Sequence, residues 1–258
     1  MDLSTLIGIV LGLGLVGWGI MQSGSIGDFI HMPSLAIVLG GTIAATMVSF
    51  PLNKLLNAGK VTKNVFFEKK YDYETLIGEI IGMANIARKE GLLALEETSE
   101  KTENEFLKKG IMMVVDGTDP ELVRSVMETE LNFLEERHKD GQKLFEVMGA
   151  LCPAFGMVGT LIGLINMLGG LSDVSSVGPN MSVALITTFY GSLFANLFFT
   201  PFATKLKDRN ASELLAKEMM LEGLLSTQAG ENPRLIEEKL YTFLAPSLRK
   251  KLEDKREG

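Results

Sequence analysis

Thr160, Thr187 and Thr188 carry hydroxyls inside two long apolar stretches, VMGALCPAFGMVGTLIGLINMLGGL (147–171) and MSVALITTFYGSLFANLFFTPFA (181–203). Neither stretch contains an Asp, Glu, Lys, Arg or His. Hydroxyl and backbone oxygens in such a setting suit a hard cation, which must exchange its hydration water for several oxygen ligands. Ion translocation through hydrocarbon also calls for an ionisable or strongly polar group. These spans offer hydroxyls and no carboxylate, so any ion pathway here must borrow its charged group from a partner. Helix packing is the plainer reading of the same positions. Gly149, Gly156, Gly163 and Gly170 recur every seven residues, with Gly159 and Thr160 beside that line. Ala184, Thr187, Thr188, Gly191, Ser192 and Ala195 form a matching small-residue face. Glycine costs helix stability, and a stripe of it is best explained by close backbone approach between helices in lipid. For the glycines alone, packing outweighs a pore.

Elsewhere, catalytic signatures are absent: no Walker-type phosphate loop, no HExxH, no CxxC and no nucleophile elbow. His31 and His138 fall on opposite sides of the expected membrane, and both are expected at the surface. Cys152 is the only cysteine, which excludes an internal disulfide and a cysteine-based zinc site and leaves a buried small residue as its expected role. No metal site or cofactor is expected. Arg88, Lys89, Glu96 and Glu97 form a charged cluster that, by spacing alone, reads as a solvated face.

The elements that must hold these residues are membrane spans. Each of the two stretches reaches the roughly 20 apolar residues needed to cross about 30 Å of hydrocarbon, so they read as a transmembrane hairpin joined by the polar SDVSSVGPN. Residues 3–22 and 33–50 are also apolar and free of charge, giving four spans. A cleaved leader would need a basic amino-terminal region. The chain opens Met1, Asp2, Leu3, so the first span is expected to be retained. All 25 Lys and Arg residues fall in two segments, 14 in 51–146 and 11 from residue 204 onward. The loops 23–32 and 172–180 have none, which puts both basic segments, and both termini, in the cytoplasm. The formal charge of −7, with 32 acidic residues interspersed among the basic ones, does not suggest nucleic acid.

The expected fold is therefore all-α, an integral membrane protein with four transmembrane helices and a helical cytoplasmic domain. Its organisation is spans 1 and 2 in 1–50, a cytoplasmic domain in 51–146, spans 3 and 4 in 147–203 and a cytoplasmic tail in 204–258. In the cytoplasmic part, Leu76, Ile77, Ile80, Ile81, Ala84 and Ala87 make an apolar helical face that Gly91 ends. A helix through Leu92, Leu93 and Leu95 follows, then one over 103–115 ending at Asp116 and Gly117. Asp119 and Pro120 are an N-cap and first-turn proline, opening a helix with Val123, Met127, Leu131 and Leu134 on one side. No strong breaker precedes Gly141, so this helix is expected to run into the third span. The tail is expected to hold helices at 211–227 and 234–244, parted by Gly230 to Pro233, with a charged end from Pro246.

The runs CPAFGMVGTLIGL, ALITTFYGSLFANLFFTPFATKL and ANIARKEGLLALEE, with the opening MDLSTLIGI and the tail EGLLSTQAGENPRLIEEKL, resemble the A subunit of the flagellar motor stator, the MotA and PomA family, in matching order over nearly the whole chain. The resemblance implies a homo-oligomer, five A subunits around two B subunits of MotB or PomB type, each B subunit supplying a transmembrane aspartate, in the bacterial inner membrane. Ion flow past that aspartate would drive torque on a rotor switch protein. It implies rotor contact for Arg88, Lys89, Glu96 and Glu97, and conformational coupling for Pro153 and Pro201, where a missing N–H makes a local kink point. Thr160, Thr187 and Thr188 match positions where the sodium-driven PomA branch carries threonine, so the resemblance favours sodium as the transported ion, with the proton as the alternative. Adjacent helical residues point about 100° apart, so only one of Thr187 and Thr188 need face the ion. An energiser of ExbB or TolQ type is the rival, but those are similar to a three-span arrangement.

Overall fold

In the computed structural model, which describes residues 2–67 and 71–249, every regular element among the described residues is helical. Four helices are long and apolar enough to cross a membrane: α1 (Leu3–Ser23), α2 (Met32–Ser49), and apolar windows within two longer helices that begin at Pro120 and Val174. The chain divides into two compact units, one of residues 1–68 and 138–208, the other of residues 69–137 and 209–258.

The first unit holds the spans. Asp2 caps α1, its carboxylate accepting from the Thr5 N–H at 3.4 Å, and also forms an ion pair with Lys205. That lysine's hydrogen bond holds the Asp2 carboxyl well below the usual carboxylate range. None of the α1 window is buried within the chain, as expected of a helix whose neighbours are lipid or other subunits. Its close approach to the rest is at Gly12, where an added Cβ would lie 2.6 Å from a Leu197 methyl. After a 3₁₀ turn, Ile26–Phe29, α2 begins. His31 is its N-cap, with Nδ1 accepting from the Ser34 N–H at 3.3 Å, while its own N–H donates to the Tyr190 hydroxyl at 3.1 Å. Tyr190 in turn donates to the Phe29 carbonyl. His31 is thus a half-buried structural cap rather than the surface residue expected, because the helix start needed an acceptor and imidazole supplied one.

The segment after α2, expected to be helical, opens with α3 (Leu52–Phe66), which follows Phe50 and Pro51 and whose limits the sequence leaves open. Its inner face buries Val65 in a cluster with Phe145, Phe202, Ala203 and Leu206.

In the second unit, α4 (Tyr73–Glu90) is capped by Asp72 and ended by Gly91, whose φ of 90° is the left-handed region that favours glycine. A 3₁₀ turn, Leu92–Ala94, leads into α5 (Leu95–Lys101), and Asn104 caps α6 (Glu105–Val115). The helix α7 (Pro120–Gly169) then opens at Asp119, whose carboxylate accepts from the Glu121 N–H at 3.0 Å. It is continuous through Gly141, as expected. That glycine serves close packing, since its Cβ position lies 3.1 Å from a Val61 methyl of α3. The core of the second unit is Ile80, Leu95, Leu107, Ile111, Val123, Met127, Met219, Leu224, Ile236 and Leu240. Gly110 and Gly223 let Leu224 and Ile80 approach to 2.5 Å of their Cβ positions, so a larger residue at either place would push into that core.

Two expected boundaries shift. The polar joint SDVSSVGPN is mostly helix, because α8 (Val174–Gln228) already starts at Val174. Asp173 explains it: its carboxylate accepts from the Ser175 N–H at 3.0 Å and the Ser175 hydroxyl at 2.6 Å, a side-chain cap that starts the helix early. These bonds also hold the exposed Asp173 carboxyl below its ordinary range. The reversal is confined to residues 170–173. At the other end, the fourth span and the expected helix 211–227 are one helix, since the residues between them include no glycine or proline to stop it. A π-helical segment, Ala195–Phe199, lies within α8 just before Pro201. The last element is α9 (Pro233–Tyr241), after a turn at Gly230 with φ of 70°. The charged end from residue 250 lies outside the described residues.

Candidate ion site and charged corner

Backbone contact between α7 and α8 sets the site. An added Cβ at Gly156 would lie 2.9 Å from the Thr187 carbonyl, at Gly163 2.7 Å from the Ala184 nitrogen, and at Gly191 2.9 Å from the Cys152 carbonyl. Such distances are below any tolerated contact. The glycine line of α7 is therefore a groove that receives the small face of α8, as packing in lipid requires. Gly149 and Gly170 extend it, facing Thr200 and Ser176. Cys152 is fully buried beside Val38, Ile186, Tyr190 and Ala195.

At this crossing the three threonines separate. Thr187 is fully buried: its methyl and hydroxyl press on Gly159, and its Oγ1 donates to carbonyls of its own helix, Val183 and Ala184, both at 3.0 Å. Thr188 is exposed on the neighbouring sector, and Thr160 of α7 is half-buried beside it. Their hydroxyls hydrogen-bond to each other. Thr160 Oγ1 also reaches the Gly156 and Ala184 carbonyls at 3.0 Å, and Thr188 Oγ1 reaches the Ala184 carbonyl at 3.3 Å. A hydroxyl has one proton and two lone pairs, so this group cannot use every contact at once and retains free acceptor capacity. The Ala184 carbonyl, approached by three hydroxyls, is a member of the site that the sequence did not single out. Only the i+3 and i+4 placement of Thr187 and Thr188 above it, an ordinary helical spacing, could have pointed there.

Pro153 lies inside α7 with its Cα 3.1 Å from the Gly191 Cβ position, within the crossing of α7 and α8. Pro201 follows directly on the π segment and Thr200 in α8. Proline cannot donate to the carbonyl four residues back, and a widened turn is one way a helix absorbs that loss.

The charged cluster is at a corner of the second unit. Arg88 and Lys89 are in the last turn of α4, Glu96 and Glu97 in the first turn of α5, all exposed, with Gly91 and one 3₁₀ turn between. Basic residues at a helix end and acidic ones at a helix start complement the two helix dipoles. Glu97 pairs with Lys101 at 2.7 Å, which holds its carboxyl below the ordinary range. Arg88, Lys89 and Glu96 make no ion pair among the described residues. The exposed Leu93 projects from the same corner.

These features, four spans with a glycine-packed hairpin, hydroxyls in place of carboxylates and a second, helical unit, define a membrane channel subunit. Residues 98–219 match the MotA/TolQ/ExbB proton channel family. The chain is 40% identical over 253 residues to motility protein A of Treponema pallidum, covering 98% of each. It is 40% identical over 244 residues to the chemotaxis protein PomA of Vibrio alginolyticus, covering 95% of this chain and 96% of that one. A solved structure of the flagellar MotAB stator complex from Bacillus subtilis superposes with a TM-score of 0.89 at 34% identity, covering 96% of this chain and 98% of that one. The chain belongs to the MotA/TolQ/ExbB proton channel family, and within it groups with the motility proteins along its whole length. It is an inner-membrane channel-family subunit of stator type, not an enzyme, and its cargo is an ion. The ExbB reading falls back, because the likeness to motility proteins extends over the two amino-terminal spans that the family match leaves out.

Proposed function

We propose that this chain is the A-type subunit of a flagellar stator that conducts sodium past a carboxylate supplied by a B-type partner. The supporting observation is the Thr160–Thr188 hydroxyl pair with the Ala184 carbonyl, an oxygen cluster at the edge of a seam whose spans carry no Asp, Glu, Lys, Arg or His. Thr187 backs that cluster from inside the seam. Neutral oxygens alone do not carry an ion through hydrocarbon, and a partner aspartate beside them completes a cation site. A proton needs only the carboxylate, whereas sodium gains from each added oxygen, so the cluster favours sodium. The likeness does not discriminate, since motility protein A and PomA relatives stand at equal identity.

The rest of the reading follows the family. Several copies of this chain, five by that pattern, surround two B subunits, with both termini in the cytoplasm. Arg88, Lys89, Glu96 and Glu97 meet oppositely charged patches on the rotor, and Pro153 and Pro201 let span movement reach them. The domain limits follow the same pattern, spans in 1–50 and 147–203 with cytoplasmic parts in 51–146 and 204–258. The test is motility of a stator-deleted host carrying this chain and its native partner, with sodium replaced by potassium at constant total motive force. Rotation should stop without sodium; undiminished rotation would assign the proton instead.

A further inference from the structure

The α3 helix has an outer face that its packing does not explain. Leu52–Phe66 begins three residues after the end of α2 at Ser49, so its start lies within about 10 Å of that end of the span. Its inner face is fixed to the span-bearing unit by Val65, by Val61 against Gly141, and by the Lys54–Asp140 ion pair at 2.7 Å. On the outer face Leu52 is 60% and Leu56 75% exposed, and Phe67, just beyond the helix, is 53% exposed. With Gly59 and Lys63, the two leucines fall in one sector of about 60°, while Asn53, Asn57, Lys60 and Asn64 fill the adjoining one. Residues 51–67 contain three lysines and no acidic residue. Lys60 and Lys63 are exposed, neither with an ion pair among the described residues, and Lys63 Nζ lies 5.7 Å from the centre of the Phe67 ring.

An amphipathic, wholly basic helix tied to the end of a span, with two large apolar residues pointing outward, has the composition of an interfacial anchor. We propose that α3 docks on anionic phospholipid of the cytoplasmic leaflet, Leu52, Leu56 and Phe67 entering the acyl boundary while Lys60 and Lys63 bind headgroup phosphates. Gly59 lets the helix lie flat between the two leucines and Lys63. The lysine stems run along the apolar sector so that their ammonium groups reach the headgroups. This inference concerns lipid and is independent of which ion the spans conduct.

The test uses the full-length chain in its assembled complex. Native mass spectrometry would count phosphatidylglycerol and phosphatidylcholine bound during titration in detergent. The wild type should prefer phosphatidylglycerol, and Lys60→Gln with Lys63→Gln should lower that preference roughly tenfold or more, given about 1 kcal/mol for each surface lysine. Lys60→Arg with Lys63→Arg should retain it. In nanodiscs, a fluorophore on Leu56→Cys should be quenched by doxyl-labelled lipid. Equal binding of the two lipids by the wild type, or an undiminished preference in the glutamine variant, would overturn the proposal. So would a Leu56→Cys label shielded from lipid, which would mean that a second protein surface covers this face.

Discussion

Thr187 and Thr188 are neighbours in sequence and opposites in environment, one sealed against Gly159 and the other open beside Thr160. Loss of the open hydroxyl should act on the ion, and loss of the sealed one on packing. Thr188→Ala should therefore raise the sodium concentration needed for half-maximal swimming speed while leaving the melting temperature of the purified protein within a degree or two. Thr187→Ala should lower stability by roughly 1–2 kcal/mol, as expected for removing buried atoms at a helix contact. A Thr188→Ala strain with an unchanged sodium dependence would take that hydroxyl off the path. The glycines allow a sharper contrast. Gly163→Ala and Gly156→Ala place a methyl within 3 Å of opposing backbone and should cost about 1–3 kcal/mol as overpacking, whereas Gly78→Ala on α4, with open space around it, should be neutral or slightly stabilising. Thermal melts in detergent would rank them.

At the scale of elements, the seam between α7 and α8 is legible in the sequence, because glycines seven apart opposite a run of small residues leave little else to do in lipid. So is the α4–α5 corner, marked by Gly91. What could not be read was where polar residues join a helix instead of ending it. Asp173 turned a loop into helix by capping it, and the π segment before Pro201 is a local widening with no signature of its own in composition. The limits of α3 are not marked in the sequence, because its apolar residues are split between an inner side and an outer one. Pro153 lies where α7 and α8 touch, so replacing it should alter how the span flexes before it alters how it folds. Pro153→Leu should leave complex assembly intact by size-exclusion chromatography and reduce torque several-fold in a tethered-cell assay; a subunit that fails to assemble would remove the coupling role.

For the whole molecule, two sets of charges have different tasks. The Asp2–Lys205 pair ties the start of α1 to α8 within the membrane unit. A carboxyl whose folded value is lowered contributes stability above its ordinary value of 3.8 and loses it as pH falls through the lowered one. The melting temperature should thus be insensitive to this pair from neutral pH down to about pH 4 and decline only below it. Asp2→Asn should be less stable at neutral pH and should show less of that acid decline, which a melting series from pH 3 to 7 would resolve. At the α4–α5 corner Arg88, Lys89 and Glu96 make no ion pair among the described residues, and the proposed rotor contact assigns them to steering a partner. Arg88→Glu combined with Glu96→Lys should abolish swimming at unchanged membrane expression, with single reversals partly rescued by raised ionic strength.

All of these tasks presuppose the proposed pathway, in which a partner supplies the charged group, since the four spans contain no Asp, Glu, Lys, Arg or His. Sodium flux into vesicles carrying the chain by itself, with its B-type partner, and with that partner's transmembrane aspartate changed to asparagine measures this directly. Flux is predicted only in the second case. Flux through the chain alone, or through the complex without the aspartate, would contradict the account.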